Sequence, residues 1–428
     1  MQVGVTRELR SGERRVAATP ETVQQLTALG LDVIVEKGAG IESGYSDASY
    51  KEAGATIAAK LSLGSLDVLV HVRPLSPATA KALKMGAITI GLASPSTELP
   101  TVSALAAGKV TAFALELIPR ISRAQSMDAL SSQALVAGYR AVIEAVMRYP
   151  RFFPLYMTAA GTIPPAKVLV LGAGVAGLQA IGTAKRLGAR VSANDIRAAS
   201  ADEVRSMGGT FINLDLDTAA EATGGYAKEL AQDRAQRQRD LLAPYIAASD
   251  VLITTAAIPG RAAPLLVTTD MVKGMRAGSV VIDLAAESGG NVEGVVAGKD
   301  TPVLVDGGTV TLVGLQDAPS AIPSDASRLY AKNVANLLAL MTADGKVAPD
   351  YTDEVVAGAC LTRDGTVVHE PTAQALAEKT PAAAKKPAAA KKSPAAKTPV
   401  SKAPAAKKAP AKKTAPAAKT PTTKKAAK

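Results

Sequence analysis

The stretch VLVLGAGVAG at residues 168–177 decides the fold of the middle of the chain. Gly172, Gly174 and Gly177 follow one another in the order G-x-G-x-x-G, directly after an apolar strand predicted over Lys167–Leu171. In a unit of strand, turn and helix, these glycines allow a tight turn, a close approach of the backbone to a pyrophosphate and close packing of helix on strand. The N-terminus of the helix then offers free N–H groups to an anion. The stretch therefore indicates a dinucleotide-binding unit.

An acidic residue after the next predicted strand supports this interpretation. A helix is predicted over Leu178–Leu187 and a strand over Arg190–Ala193, and Asp195 lies 18 residues after Gly177. A carboxylate there can accept hydrogen bonds from both hydroxyls of an adenosine ribose. Arg197 would attract the 2′-phosphate of NADP, but Asp195 would repel it, so the pair favours NAD. The alternative to a dinucleotide site is a glycine-rich turn with a surface aspartate. No lysine of a phosphate-binding P-loop follows downstream, which argues against an ATPase.

Alternating strands and helices predict another α/β unit over the first ~130 residues. Thr19 and Pro20 supply an N-cap and a first-turn proline, and Gly30 ends the helix that they begin. The predicted strands are four apolar segments: Val3–Val5, Leu31–Val35, Leu66–Val72 and Ala87–Leu92.

Apolar residues at helical spacing predict two long helices, one from Leu135 to the break at Pro150 and one over Ser324–Met341. We expect both helices to bridge the two units, with the residues after about 315 returning to the first unit. The last strands of the second unit are predicted at Val251–Thr255, Ser279–Leu284 and Thr301–Val305.

The predicted fold class is α/β, with two doubly wound parallel-sheet domains of the Rossmann type joined by long helices. The first domain is discontinuous and comprises residues 1–134 and 315–376, and the NAD-binding domain comprises residues 135–314. Residues 377–428 are mostly Ala, Lys, Pro and Thr. This tail has too few apolar side chains to offset chain entropy, so it is predicted to be disordered.

The formal net charge of +11 comes from the tail. Fifteen lysines and no acidic residue occur from Lys379 to Lys428, whereas the first 378 residues carry 34 basic and 38 acidic side chains. The lone Cys360 cannot form an internal disulfide and is interpreted as a small core residue. The charged N-terminus predicts no export signal, and the longest relevant uncharged run, residues 168–184, is too short for a membrane span. No metal-binding cluster is predicted.

Five longer stretches resemble the NAD(H)-binding component of proton-translocating transhydrogenases. They are IPRISRAQSMDALSSQ (118–133), MTAAGTIPPAKVLVLGAGVAGLQAI (157–181), GGYAKEL (224–230), TTAAIPGRAAP (254–264) and GSVVIDLAAESGGN (278–291). The resemblance runs from about Val3 to about Leu376. It implies a homodimeric subunit that exchanges hydride with NADP(H) held on a beta subunit, while a membrane-spanning subunit translocates protons. It also implies a cytoplasmic protein that is peripheral on the cytoplasmic face of the inner membrane.

The resemblance assigns roles to the loop after Pro119. Arg120 and Asp128 would hold the carboxamide and ribose of NAD(H), and Ser131 would support Asp128. Gln125 would reach toward the facing NADP(H). Hydride transfer between two nicotinamides requires no general acid or base, only reacting atoms held roughly 3 to 3.5 Å apart, so positioning is the main catalytic effect.

Further cofactor contacts are implied around the glycine turn and in a mobile loop. GGYAKEL resembles a loop in which Gly225 contributes to a hinge and Tyr226 closes over the nucleotide. The other implied contacts are Ile121 and Ser122 in the loop after Pro119, Val175 at the fingerprint, Ile196 and Arg197 beside Asp195, and Ala257 after a strand.

Structural alternatives stay open for these loops. Ser122 with Gln125 spells a capping box, and Asp128 could stabilise a helix N-terminus. Two glycines followed by tyrosine, as at Tyr226, also occur in ordinary surface loops.

Two other functions compete. Alanine dehydrogenases share the RVAxTP pattern at Arg15–Pro20, but that enzyme requires a lysine and a histidine. Here Arg73 resembles the lysine position, no histidine lies between His71 and His369, and His71 is predicted to be structural. The other candidate is a nucleic-acid-binding protein, because a lysine-rich tail binds phosphate backbones. The same tail could contact anionic lipid or serve only for solubility.

Overall fold

The computed structural model describes residues 1–197, 199–214, 225–257 and 262–379 of the 428-residue chain, with the backbone alone over residues 225–233. Within these residues, no helix is both long and apolar enough to cross a membrane.

The described strands are β1 (Gln2–Val5), β2 (Asp32–Glu36), β3 (Thr56–Ala58), β4 (Val68–Val70), β5 (Ile88–Gly91), β6 (Thr111–Ala114), β7 (Tyr156–Thr158), β8 (Gly161–Ile163), β9 (Lys167–Leu171), β10 (Arg190–Asn194), β11 (Thr210–Phe211), β12 (Val251–Thr254), β13 (Val280–Asp283), β14 (Asp300–Val305), β15 (Gly308–Gly314), β16 (Thr342–Ala343), β17 (Lys346–Val347), β18 (Cys360–Arg363) and β19 (Thr366–Val367). The α-helices are α1 (Pro20–Ala28), α2 (Asp47–Glu52), α3 (Pro77–Ala82), α4 (Leu99–Ala107), α5 (Ala129–Arg148), α6 (Val175–Arg186), α7 (Ser200–Ser206), α8 (Gly225–Ala247), α9 (Thr269–Lys273), α10 (Pro323–Leu340), α11 (Glu354–Ala359) and α12 (Glu370–Lys379).

The first sheet has the order β3-β2-β1-β4-β5-β6-β18-β19. Strands β1 to β6 are parallel to their neighbours, and β18 and β19 extend the sheet as antiparallel strands. The strand order reverses between β1 and β4, which creates a crevice at their carboxyl ends.

The second sheet has the order β11-β10-β9-β12-β13-β15-β14, with only β14 antiparallel to its neighbour. Its order reverses between β9 and β12, again opening a crevice at the carboxyl ends. The predicted Rossmann-like architecture of two doubly wound sheets is therefore confirmed.

Helix α5 connects the two sheets, as expected. Its first residue, Ala129, lies in the core of the first sheet, whereas Ala141, Val142 and Ala145 lie in the core of the second. Helix α10 packs differently from the prediction, because its buried Tyr330, Val334, Leu337 and Leu338 belong to the first core. Its return to the first sheet, together with β18 and β19, supports the proposed discontinuous domain.

Local caps explain several of the observed helix boundaries. Thr19 caps α1, Pro20 begins it, and Gly30 follows its end with a positive φ of 79°, as predicted. Helix α5 begins six residues earlier than predicted, because the Asp128 carboxylate caps it. Cys360 lies in the first core, which confirms its interpretation as a small core residue.

Two predictions need correction, one about the last strand of the second sheet and one about the start of the tail. Thr301–Val305 is not the last strand of the second sheet, because β15 follows and inserts between β13 and β14. The predicted tail begins too early at residue 377, because α12 continues to Lys379. The rest of the predicted disordered tail, residues 380–428, lies outside the described residues.

Candidate nucleotide site

The glycine turn lies at the crevice of the second sheet. Gly172 has a φ of 100°, and a Cβ on it would lie 2.6 Å from Thr255 Oγ1. A Cβ on Gly177 would lie 1.9 Å from the Gly172 carbonyl oxygen, so the close packing of helix on turn requires glycine there. By contrast, a Cβ on Gly174 would meet nothing within 4 Å. The open face of the turn is therefore at Gly174.

The N-terminus of α6 is free to receive an anion. Gly174 is its N-cap residue, and no side chain accepts a hydrogen bond from the first turn. Gly174 and Val175 are both exposed. The arrangement fits a pyrophosphate, because the free N–H groups and the helix dipole both favour negative charge.

Asp195 follows β10, the strand next to β9. Its carboxylate accepts hydrogen bonds from the Ala173 N–H, at 2.7 Å, and from Arg197 Nε, at 3.0 Å. Burial raises the pKa of Asp195, but the hydrogen bonds from Arg197 and Ala173 outweigh it and hold the pKa below its ordinary value. The carboxylate is thus ionised beside the glycine turn. Ile196 and Arg197 are exposed next to it.

The other side of the crevice is held by a residue that the sequence analysis missed. Asn291 is fully buried and donates hydrogen bonds to the carbonyls of Ala256 and Pro264, both at 2.8 Å. Its own N–H donates to Asp283 Oδ2 at 2.7 Å. These bonds hold the segment after β12, where Ala257 is exposed at the carboxyl rim. Asn291 ends the family-like stretch 278–291, which was the available signal.

The loop after Pro119 contains a 3₁₀ helix over Ser122–Met127. No side chain caps this helix, so the capping box predicted for Ser122 and Gln125 is wrong: its N-cap residue is the apolar Ile121. Ser122 and Gln125 are exposed, and so is Arg120.

Asp128 stabilises a helix N-terminus, as the structural alternative proposed. It is the N-cap residue of α5 and accepts hydrogen bonds from Ser131 N, at 2.9 Å, and Ser131 Oγ, at 2.6 Å. The expected contact between these two residues is therefore present. A capping role leaves further lone pairs on the carboxylate for a ligand hydroxyl.

Helix α5 connects this loop to the glycine turn. A Cβ on Gly138 would lie 2.1 Å from the Ala176 carbonyl oxygen, so this glycine lets α5 pack closely against the first turn of α6. Asp128 and Gly138 are ten residues apart, which corresponds to about 15 Å along the helix axis. The loop is thereby held at a fixed distance from the turn.

The predicted mobile loop is only partly described. Helix α8 begins at Gly225, so residues 225–230 are helical rather than a loop. The side chain of Tyr226, and residues 215–224 before the helix, lie outside the described part of the structure.

Ion pairs lie at the crevice of the first sheet. Glu13 accepts hydrogen bonds from Arg15 Nη2 at 2.6 Å, Arg73 Nε at 2.7 Å and Ser320 Oγ at 2.6 Å. Arg73 also pairs with Asp317, which follows β15 of the second sheet. Burial opposes ionisation of Glu13, but the bonds from Arg15 and Ser320 prevail and lower its pKa to about 2. We call Glu13, Arg15, Arg73 and Asp317 the buried ion-pair cluster.

His71 is structural in this arrangement, as predicted. It is buried, and its Nδ1 lies 2.7 Å from the Arg73 carbonyl oxygen. Because a carbonyl oxygen only accepts, Nδ1 carries the proton of a neutral ring. Burial lowers the pKa of His71 to about 4. In the described residues, no three His, Cys, Asp or Glu side chains are grouped so as to hold a metal ion.

Family models match nearly all of the described chain. The model of the alanine dehydrogenase/PNT N-terminal domain matches residues 4–137, and that of the C-terminal domain matches residues 141–370. A transhydrogenase structure from Sinorhizobium meliloti is similar with a TM-score of 0.75 and 43% identity, covering 87% of this chain and all of that one. An L-alanine dehydrogenase structure with 24% identity and a TM-score of 0.71 shares the fold.

Curated relatives separate the two branches of the family. The NAD(P) transhydrogenase alpha subunit of Haemophilus influenzae is 43% identical over 376 residues, which cover 87% of this chain and 72% of that protein. A shorter alpha-subunit chain of the Rhodospirillum rubrum transhydrogenase is 47% identical over 382 residues, which cover 86% and 98%. Alanine dehydrogenase of Bacillus subtilis is 30% identical over 383 residues, which cover 88% and 95%. The chain therefore belongs to the alanine dehydrogenase/PNT family and, within it, to the NAD(P) transhydrogenase alpha subunits.

Proposed function

We propose that this chain binds NAD(H) at the crevice of the second sheet and exchanges hydride with NADP(H) held on a partner beta subunit. A membrane-spanning subunit of the same complex would couple the transfer to proton translocation. In this assembly the chain is cytoplasmic and peripheral on the cytoplasmic face of the inner membrane.

The open glycine turn carries the proposal. Gly174 and the uncapped N-terminus of α6 offer N–H groups to the pyrophosphate, and Asp195 offers an ionised carboxylate to the adenosine ribose. Val175, Ile196, Arg197 and Ala257 form the exposed rim of this crevice. The charge of Asp195 favours NAD(H) over NADP(H), as the sequence predicts.

The loop after Pro119 then positions the nicotinamide. Arg120 and Asp128 hold its carboxamide and ribose, and Ile121 and Ser122 line the same segment. When bound, NADH supplies the hydride from its own ring, so the protein needs only to orient the ring and exclude other geometries. The exposed Gln125 extends toward the NADP(H) of the partner. Closure over the nucleotide by Gly225 and Tyr226 stays a prediction of the resemblance, with Gly225 now at the start of α8.

An exposed apolar surface supports the proposed homodimer. The antiparallel β7–β8 hairpin and the end of α5 leave Met147 and Met157 71% and 75% exposed. Phe152, Leu155 and Tyr156, which lie between these methionines in the sequence, are about half exposed, and the Phe152 and Tyr156 rings are in edge contact. A second copy would remove this surface from water. Sedimentation should give a dimer that Met157→Asp weakens; a monomeric wild-type protein would contradict the assignment.

The binding step and the transfer step can be tested separately. The purified chain should enhance NADH fluorescence on titration and bind NADPH more weakly. Mixed with the NADP(H)-binding component of a transhydrogenase, it should reduce an NADP analogue with NADH. Failure to bind NADH, or reduction of NAD by alanine alone, would refute the proposal. We expect no reaction with alanine, because Arg15 and Arg73 are engaged with Glu13 and His71 is buried.

A substitution separates the loop from the rest of the site. Gln125→Asn should slow hydride transfer by about tenfold, because the shorter side chain no longer reaches the facing ring, and should leave NADH affinity nearly unchanged. A large loss of NADH binding would instead assign Gln125 to the binding of this chain's own nucleotide.

The lysine-rich tail is proposed as a separate, electrostatic element. Since α12 ends at Lys379, truncation after that residue should preserve NADH binding and remove any salt-sensitive adsorption to anionic vesicles or DNA. Loss of NADH affinity on truncation would contradict this division. Comparison of vesicles with DNA distinguishes a lipid contact from a nucleic-acid contact.

A further inference from the structure

Two asparagines of α10 bind one carbonyl of the loop after Pro119. Asn333 Nδ2 donates to the Ser126 carbonyl oxygen at 2.9 Å, and Asn336 Nδ2 donates to the same oxygen at 3.0 Å. Ser126 is the neighbour of Gln125 in the 3₁₀ helix. The backbone next to Gln125 is therefore held from a helix more than 200 residues away in sequence.

The Asn333 side chain has little freedom. It is 6% exposed, and its Oδ1 accepts a hydrogen bond from Ser132 Oγ at 2.7 Å. Because the Ser126 carbonyl oxygen can only accept, the amide nitrogen of Asn333 must face it, which leaves Oδ1 to accept from Ser132. Asn333 thus joins the start of α5 to the middle of the loop.

The same contacts continue to the buried ion-pair cluster. Gln133 Nε2 donates to Ser132 Oγ at 3.2 Å and to the Ala326 carbonyl at 3.1 Å. Gln133 Oε1 accepts from Arg15 Nη1 at 2.8 Å. Each amide in this series is oriented by a donor on one side and an acceptor on the other, so the rotamers support one another.

We infer that Asn333, assisted by Asn336, is a positioning residue for hydride transfer: it fixes the Ser126 carbonyl and thereby the direction of the Gln125 side chain. This inference rests on the proposed function, in which Gln125 faces the partner's NADP(H). Asn333 acts through the loop, since its hydrogen bonds go to Ser126 and Ser132. The effect is expected to be large because a misplacement of about 1 Å can slow a transfer by as much as ~100-fold.

The experiment compares two substitutions at this position. Asn333→Ala removes both hydrogen bonds, whereas Asn333→Asp keeps the acceptor for Ser132 and loses the donor to Ser126. Both should lower hydride transfer at saturating NADH by about tenfold or more, with the NADH dissociation constant changed by less than about threefold. Without nucleotide, amide hydrogen exchange over residues 122–128 should accelerate in both variants.

A matched control on the same helix isolates the positioning effect from lost stability. Ser327 is fully buried on α10 and bonds to Val16 N and Ser43 Oγ, away from the loop. Ser327→Ala should lower the melting temperature without changing the transfer rate or the exchange of residues 122–128. Equal loss of transfer in this control would overturn the inference.

The remaining outcomes are also decisive. If Asn333→Ala does not fold, Asn336→Ala removes one donor from a less buried position and should slow transfer by about threefold. The inference would be overturned if Asn333→Ala and Asn333→Asp both transferred hydride at the wild-type rate. It would also be overturned if they lost only NADH affinity. Failure of the wild-type protein to bind NADH would overturn the proposed function instead, so the two failures are distinguishable.

Discussion

The two sheets have the same strand order around their centres, but their crevices differ. In the second sheet the space after β9 and β12 is bordered by Gly172, Gly174 and an uncapped helix N-terminus. In the first sheet the corresponding space after β1 and β4 holds the buried ion-pair cluster. One crevice presents backbone N–H groups, and the other presents side chains that are already ion-paired with one another.

This difference shows that topology supplies a crevice and side chains decide its use. Glycines leave backbone N–H groups accessible at the second sheet. At the first sheet, Glu13 neutralises Arg15 and Arg73, so an incoming carboxylate would have to displace a carboxylate already bonded there. The first crevice thus serves to join the sheets, because Asp317 and Ser320 reach it from the end of the second.

The largest expected effect comes from breaking the buried ion-pair cluster at the first crevice. Glu13→Ala leaves the guanidinium of Arg15 without its carboxylate in a site where both side chains are at most 3% exposed. The free energy of unfolding, measured in urea, should fall by about 3 to 5 kcal/mol. Arg123→Ala is the control, since the Arg123 side chain is 45% exposed in its ion pair with Asp353, and it should cost less than about 1 kcal/mol. Equal losses would show that burial of the cluster is unimportant.

The pH dependence of stability tests the surroundings of the same crevice. The pKa of His71 is about 4 when folded and 6.5 in its ordinary state, so only the unfolded chain takes up a proton between these values. The stabilisation is present above pH 6.5 and is lost as the pH falls toward 4, by on the order of 3 kcal/mol. The free energy of unfolding of the wild-type protein should fall by this amount more than that of His71→Gln over the same pH range.

The comparison with the variant is needed because Glu8 acts in the opposite direction. Burial raises the pKa of Glu8 to about 7, so its contribution to stability is lost as the pH rises through 7. Glu8 is present in both proteins and cancels in the difference. Parallel pH profiles for wild type and His71→Gln would contradict the neutral, buried assignment of His71.

At the open crevice, a single methyl group should abolish most nucleotide binding. A Cβ on residue 177 meets the Gly172 carbonyl, so Gly177→Ala must displace the turn and should weaken NADH binding by about 100-fold. Gly182→Ala is the matched control in α6, because its Cβ meets only the Met207 methyl group. Fluorescence titration should find near-normal NADH affinity in the control; equal affinities in the two variants would place the pyrophosphate elsewhere.

The smallest effect is expected on cofactor choice. Asp195→Asn keeps the shape of the side chain but removes its charge. This change should weaken NADH binding by about tenfold and reduce the ratio of NADH affinity to NADPH affinity. Asp202→Asn makes the same charge change on exposed α7, where the side chain is 89% exposed, and should alter neither affinity. If Asp195→Asn discriminated between NADH and NADPH as the wild-type protein does, other residues would be responsible for cofactor selection.

The sequence by itself determined the local features of this protein. The strand at Lys167–Leu171, the cap at Thr19 and the glycine turn were predictable, because each depends on residues within a few positions of one another. The stretches that resemble the family also predicted that the loop after Pro119 belongs to the site and that Asp128 and Ser131 are in contact. β15 was missed because its place depends on neighbouring strands, and the start of α5 was predicted too late although its Asp128 cap had been considered.

Only the tertiary structure decided which distant residues meet. Asn291 with Ala256, Asn333 with Ser126, and Arg73 with Asp317 are separated by 35 to more than 200 residues, and no spacing rule connects them. Their pairing follows from burial, because a polar group removed from water must find a partner wherever the packed sheets and helices provide one. The glycine-lined crevice could be predicted from its sequence, whereas the ion-paired crevice became evident only from the fold.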